Sequence, residues 1–340
     1  MICGIALCLS AILSSSTPND TPDNRPIIEY VNPALYRVEH TARFDNRDVS
    51  RIKSLELNLP IPGDWPEQQI SSLRVEGAGH FQLRNAEGPG RIARSFYHYL
   101  EDRQPPAAGE SRSLSVSYML QCKEIRTDKK RLEKMKFPAY AKDKRTYKYY
   151  TRSEKLIEAD DPQIMAIADR ISKHTEGPYR FAKAAYEFVL DHVEYTSPTP
   201  AWGAKACLKN GKGDCGQYAA LFVAICRAGG IPARPVAGCW AAGTDQWHCW
   251  AEFQLPGVGW LPVGLTSGQR DEAKRDYYFC NLDNNRLAFV KAYNMAFHNV
   301  PAGTTSLGFL QVGCYYWYKL PGSQGSNMQV KFSVRGDRQE

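Results

Sequence analysis

Two hydrophobic periodicities divide the chain. Between residues 27 and 122 apolar and polar positions alternate. Leu55, Leu57 and Leu59 are separated by Glu56 and Asn58, and Leu114, Val116, Tyr118 and Leu120 by Ser115, Ser117 and Met119. Gly77-Ala-Gly79, Gly88-Pro-Gly90 and Pro105-Pro106 interrupt these runs. Period-two segments bounded by turn signals predict an antiparallel, sandwich-like β domain. From Asp161 the period becomes helical. Asp161-Pro162 reads as N-cap and first residue of a helix to about Lys173. Gly177-Pro178 opens a second helix with Phe181, Ala185, Phe188, Val189 and His192 on one side. A third, strongly apolar helix starts at Cys215 and ends at Gly229-Gly230, where Pro232 prevents its continuation.

Beyond that helix the period returns to two. Ala233–Ala241 predicts one strand and His248–Leu255 a second. In the second, Cys249, Ala251, Phe253 and Leu255 share an apolar face, and His248, Trp250, Glu252 and Gln254 share the other. Pro256-Gly257 turns the chain into a third strand at Trp260-Leu-Pro-Val263. The expected fold class is therefore α+β: an N-terminal β domain, then a helix packed on an antiparallel meander.

Composition refines this outline. A chain of 340 residues suggests two domains. Residues 123–150 hold 11 Lys/Arg against 4 Asp/Glu, an excess equal to the net +7 of the whole chain. Tyr140, Tyr147, Tyr149 and Tyr150 interleave these cations, a composition that can serve nucleic acid. No nucleic-acid motif accompanies it, so the segment reads as a connector packed on a neighbouring domain, and no nucleic-acid partner is expected. The ten cysteines include no C-x-x-C pair and no zinc-finger spacing, so neither a metal nor a cofactor is expected. Residues 1–16 begin with a short apolar run and end in Ser14-Ser15-Ser16. This reads as a signal peptide, and hence an exported protein, and it is too short for a stable membrane span. In a periplasmic or extracellular setting, bridges among Cys122, Cys207, Cys226, Cys239, Cys249, Cys280 and Cys314 are open, with no pairing readable. The expected divisions are a signal peptide (1–16), a linker (17–26), the β domain (27–122), a basic connector (123–154), the helix–meander domain (155–320) and a C-terminal strand or tail (321–340).

Candidate chemistry centres on Cys215. A thiol at a helix N-terminus sits beside orphan N–H groups and the positive end of the helix dipole, both of which favour thiolate. A nucleophilic cysteine also needs a base, and His248 opens the second strand of the meander. His40, His80 and His98 stand alone in the β domain and are read as structural.

The flanking residues carry a resemblance. Gly213-Asp-Cys-Gly-Gln-Tyr-Ala-Ala-Leu-Phe222, Gly230-Ile-Pro-Ala-Arg234, His248-Cys-Trp250 and Gly259-Trp-Leu-Pro-Val263 resemble the transglutaminase-like superfamily, in its bacterial members, over roughly residues 155–300. Tyr278-Phe-Cys-Asn-Leu-Asp-Asn-Asn-Arg286 is similar to a segment found downstream in those proteins, and Leu59-Pro-Ile-Pro62 to their N-terminal domains. The resemblance implies a papain-like core, Cys215 as nucleophile, His248 as general base and acid, and acyl transfer from amide bonds of a peptide or protein substrate through a thioester. Hydrolysis is expected ahead of cross-linking. The family's third residue, an Asp that orients the His, would fall at Gly264. Thr266, Asp276, Asp283 or no residue stands in for it. The alternative reading is a catalytically impaired binding module. Trp250 and Trp260 are expected as cleft walls or core, and Trp202 as a candidate channel residue.

Overall fold

The computed structural model describes residues 25–47, 52–77, 80–87, 94–102, 105–300, 303–307, 314–320 and 327–340. The signal-peptide reading of residues 1–16 lies outside them. The long strand Ile28–Asn46 alternates buried and exposed positions from Ala34 onward. It pairs antiparallel with Ser111–Thr127 on one side and with Met328–Gln339 on the other. Gln68–Gly77 and the short Gly243–Thr244 complete a five-stranded sheet. A second sheet of six strands contains Ser54–Ile61, His80–Glu87 and Arg94–Asp102, together with Met295–Val300, Gly303–Leu307 and Tyr315–Lys319 from late in the chain. Val38, Phe44, Leu114 and Val116 from the first sheet and Leu55, Leu57 and Leu59 from the second share one core, as the alternation predicts. The sandwich thus draws its strands from both ends of the sequence.

The remaining part packs helices on a four-stranded antiparallel sheet, in the order Gly259–Val263, Trp247–Leu255, Ala233–Trp240 and Arg286–Val290. The helix Cys215–Ala228 is buried from Cys215 to Arg227. Around it lie the helices Pro162–His174, Gly177–His192 and Ala204–Asn210. The face of Gly177–His192 turned to it carries Ala182, Tyr186 and Leu190 beside the expected Phe181, Ala185 and Val189. Phe188 and His192 fall at its margin instead, where their rings stack on each other.

Two expectations are modified. Residues 123–154, expected as a connector packed on a neighbouring domain, contain two short helices at Lys129–Lys134 and Arg145–Thr151. Their tyrosines turn inward. The Tyr140 hydroxyl donates to Gln254 O (2.6 Å), the Tyr147 hydroxyl donates to Gly230 O (3.0 Å), and Tyr150 packs edge-on against Trp260. The second modification concerns the strand Trp247–Leu255, which was expected to have one polar face. Trp250 and Glu252 are as buried as Cys249 and Ala251. Trp250 joins Ile125, Val236, Leu282 and Ala288 in a small core of its own.

Glu252 tolerates this position because two cations meet it. Arg234 Nε donates to one carboxylate oxygen (2.6 Å) and Lys291 Nζ to the other (2.7 Å), and Lys291 also reaches Glu67 (2.6 Å). Burial pushes the Glu252 carboxyl up, but Arg234 and Lys291 outweigh it and hold the group below the usual carboxylate range. The contribution is therefore present above the unfolded value and is lost as pH falls through the depressed folded value. Removing one partner of a buried pair leaves uncompensated charge, at a cost of about 3–5 kcal/mol. Glu252→Gln is expected to lower unfolding stability in urea by that order at neutral pH. The deficit should shrink as the solution is acidified. A loss no larger than that of an average surface substitution would refute this account.

Candidate active site

The turn that presents Cys215 is fixed from three sides. Glu194–Tyr195 pairs in parallel with Lys212–Gly213. The Asp214 carboxylate caps the helix by accepting from the backbone N–H of Gly216 (2.9 Å) and Gln217 (3.3 Å), as its place before an apolar helix predicts. Gln217 Oε1 accepts from Gly203 N (2.7 Å). Gly213 is required at the tightest point, since a Cβ there would lie 2.5 Å from Cβ of Gln217.

Cys215 is the first residue of the helix, and His248 stands near the start of the adjacent strand. The structure brings the two together: their side chains are in hydrogen-bonding contact. Both line a cleft of about 410 Å³, with Tyr195, Trp240, Thr266 and Arg270 among its walls. Trp202 is not in this lining and is 55% exposed. The cleft lining is anchored through Gln269, whose Nε2 donates to Leu190 O (2.7 Å) and Val193 O (2.6 Å) while its Oε1 accepts from the Tyr218 hydroxyl (2.5 Å).

The surroundings of His248 differ from those of a Cys-His-Asp site. At Gly264 the chain does not continue as a strand. It caps the helix Leu265–Arg270, so Thr266 does not share a strand face with position 264. A Cβ on Gly264 would lie 2.9 Å from Cδ1 of Tyr278, whose ring fills the adjoining space. Asp276 is occupied elsewhere, gripped by Lys129 and by Lys183 (2.6 Å) on the outside of the molecule. Asp283 stands nearer, but its carboxylate is taken by Arg286, whose Nη2 donates at 2.8 Å and Nε at 3.2 Å. Among the described residues none hydrogen-bonds His248 Nε2, which is buried.

What holds the imidazole is stacking. The Trp240 ring lies over it with centroids 5.0 Å apart and planes 22° apart, and Trp250 flanks it at 6.1 Å. Arg286 in turn places its guanidinium 3.7 Å from the Trp240 centroid, within the range of a cation–π contact, and donates to Ser267 Oγ (3.0 Å). The strand register explains this layer, because Arg286 is the direct partner of Trp240. In the sequence Arg286 stands out only as the end of the Tyr278–Arg286 segment, with no role attached, and Trp240 does not stand out at all. For Trp240 the signal is a Trp eight residues before the His on a paired strand, and pairing is not visible in one sequence.

Burial, and next the Arg286 charge, push the His248 pKa below its ordinary value of 6.5, while Cys215 and Asp283 pull it back up. At neutral pH the imidazole is uncharged and able to accept a proton. The two neighbours act in opposite senses, which separates electrostatics from mere support. Arg286→Met is expected to raise the His248 pKa and Asp283→Asn to lower it further, as followed by proton NMR titration of the ring. Shifts of the same sign in both variants would contradict this assignment.

Known proteins resemble this chain over part of its length. Residues 165–265 match the profile of the Transglutaminase-like superfamily. A protein-glutamine gamma-glutamyltransferase of Pseudomonas aeruginosa is 30% identical over 122 residues, which is 31% of this chain and 18% of that protein. An uncharacterized protein of Haemophilus influenzae is 24% identical over 241 residues, 60% of this chain and 62% of that one. The chain thus spans less than two thirds of either relative. A solved structure of a candidate cysteine protease from Cytophaga hutchinsonii superposes with a TM-score of 0.62 at 13% identity, covering 92% of this chain and 93% of the other, so the same fold extends over both parts of the molecule. The profile match, the helix-borne cysteine and the strand-borne histidine agree, and within this chain the segment 165–265 is the part that is similar to the transglutaminase-like superfamily.

Proposed function

We propose that the protein is a cysteine enzyme that opens amide bonds of peptides or proteins through a thioester on Cys215, with His248 as general base and acid. The observation that carries this reading is the contact of a helix-initial thiol with a buried imidazole in the lining of a cleft. The Cys215 sulfur attacks the amide carbonyl carbon while His248 takes its proton. The N–H of Cys215, at the positive end of the helix dipole, stabilises the developing oxyanion. His248 then protonates the leaving amine, and the C–N bond breaks to give a thioester. Water, activated by His248, attacks that thioester and releases the acid and the free thiol. An amine in place of water gives cross-linking. The named relatives point both ways, one to transfer from glutamine and the other to proteolysis. We favour hydrolysis, as a peptidase or amidase acting outside the cytoplasm.

One set of observations supports the second reading, a binding module with weak or no turnover. Gly264 carries no carboxylate, Tyr278 fills the space beside it, and Arg286 disfavours the imidazolium that forms during catalysis. The state of Cys215 separates the two readings. Iodoacetamide at pH 6 is expected to modify Cys215 ahead of every other cysteine. Burial pushes Cys122, Cys207 and Cys314 up to about 12, so they serve as internal controls. His248→Ala should slow that modification by about tenfold or more, within the range general-base assistance supplies. Mass spectrometry of casein incubated with the protein, with and without a primary amine, then reads the acceptor: new chain termini, or glutamine converted to glutamate, mark hydrolysis and amine adducts on glutamine mark transfer. Alkylation of Cys215 no faster than that of an ordinary thiol would end the enzyme reading.

A further inference from the structure

Cys249 follows His248 directly and takes no part in the acyl transfer described above. Its side chain points to the helix-packed face of the sheet, where it meets two groups. One is the Cys215 side chain, with which it is in hydrogen-bonding contact, and the other is the Tyr293 hydroxyl. Tyr293 also donates to Gly216 O (3.3 Å), so one buried ring braces both the start of the helix and the strand. The two thiols differ in access. Cys215 lines the cleft, whereas Cys249 is 2% exposed and does not. Burial, and then the neighbouring Cys215, push the Cys249 thiol well above the usual range, so it stays protonated and is a poor target for an electrophile arriving from solvent. Cys207 lies behind the turn, against Gly213 and Gln217, and Cys226 is eleven residues along the same helix. All of these cysteines are free thiols.

We propose that Cys249 is the resolving thiol of a modification site within the cleft, and that oxidation of Cys215 by a hydroperoxide is captured there as a Cys215–Cys249 disulfide. The inference rests on the reading of Cys215 as a reactive thiol. In the first step the Cys215 sulfur attacks the terminal oxygen of the hydroperoxide. The O–O bond breaks, an alcohol (or water, from hydrogen peroxide) leaves with a proton, and Cys215 becomes a sulfenic acid. In the second step the Cys249 sulfur attacks the Cys215 sulfur. The S–S bond forms, the S–O bond breaks, and hydroxide departs as water with the Cys249 proton. Two thiols and one hydroperoxide thus give one disulfide, one alcohol and one water, and a dithiol reductant reverses the change. Without a resolving thiol, a second equivalent of oxidant carries the sulfenic acid to sulfinic acid, which thiols do not reduce. The contact therefore stops the most accessible sulfur of the site at a reversible stage. The modified protein has no free nucleophile, so it is inactive until reduced.

The test uses the full chain and hydrogen peroxide, followed by blocking of remaining thiols, proteolysis and fragmentation of linked peptides. The expected product is a Cys215–Cys249 link that disappears on treatment with dithiothreitol, with iodoacetamide labelling of Cys215 restored. In Cys249→Ala the expected product is Cys215 carrying two oxygens, with labelling after dithiothreitol reduced to less than about a tenth of that in the wild type. If that variant does not fold, the peptide map of the wild type decides alone. A link from Cys215 to Cys207, Cys226 or Cys239 would overturn the proposal, as would sulfinic acid forming in the wild type as readily as in the variant. In both cases rapid alkylation of the untreated protein would leave the enzyme reading standing. If Cys215 resists both peroxide and iodoacetamide, both ideas fail together.

Discussion

Burial of one helix along its whole length is the constraint on which this structure turns. Every residue from Cys215 to Arg227 is withdrawn from solvent, so the helix must be enclosed by other elements. The sheet covers one side and the helices Pro162–His174, Gly177–His192 and Ala204–Asn210 cover others. Its N-terminus, which the sequence opens with Gly213-Asp214, is the end that reaches the cleft. Four N–H groups at a helix start have no partner within the helix. Asp214 takes two of them, and the thiol of Cys215 is presented beside that end. A side chain presented from an element buried this deeply cannot drift, because a shift would break packing on several sides at once.

The cost of such enclosure appears on the sheet. Covering both of its faces leaves Glu252, Arg234 and Lys291 in the interior, where isolated charge would be prohibitive. The chain meets this with a carboxylate shared between two cations rather than with apolar residues. Lys291 then extends to Glu67, which belongs to the segment before Gln68–Gly77. The β sandwich and the helix–sheet core are thereby joined by charge as well as by apolar contact. Cys239, Leu287 and Phe289 of the core sheet also lie in the sandwich's hydrophobic cluster. This continuity gives the N-terminal β domain a physical role: it closes the face of the sheet opposite the helix.

Much of this was legible in one sequence, and the legible part has a common character. Local rules placed the Asp161 cap, the Cys215 helix and the strands of the meander, because each depends on residues a few positions apart. The pairing of Met328–Gln339 with Ile28–Asn46 was not readable, since strand partners separated by most of the chain leave no local mark. The same limit hid the layer above His248. Trp240, Arg286, Asp283 and Tyr278 become neighbours only through register and turns. Position 264 illustrates the boundary well. Its identity as Gly was obvious from the sequence, but that Tyr278 fills the space beside it, and that the chain turns there into a helix, depended on the fold.

That layer also bears on how such a site would work. In a serine triad the carboxylate beside the histidine contributes about 10⁴ in kcat, largely by holding the correct tautomer and stabilising the imidazolium. Here orientation comes from the Trp240 and Trp250 rings, while the nearest charge pair sets a cation against the imidazolium and an anion in its favour. Orientation and electrostatic stabilisation, which a single Asp supplies together, are separated. A cysteine tolerates that separation better than a serine, because its proton is lost far more readily and the base has less work to do. The neutral imidazole suits the first proton transfer. On the proposed mechanism the weak point is the moment at which the imidazolium must persist, and there Arg286 and Asp283 act in opposite senses.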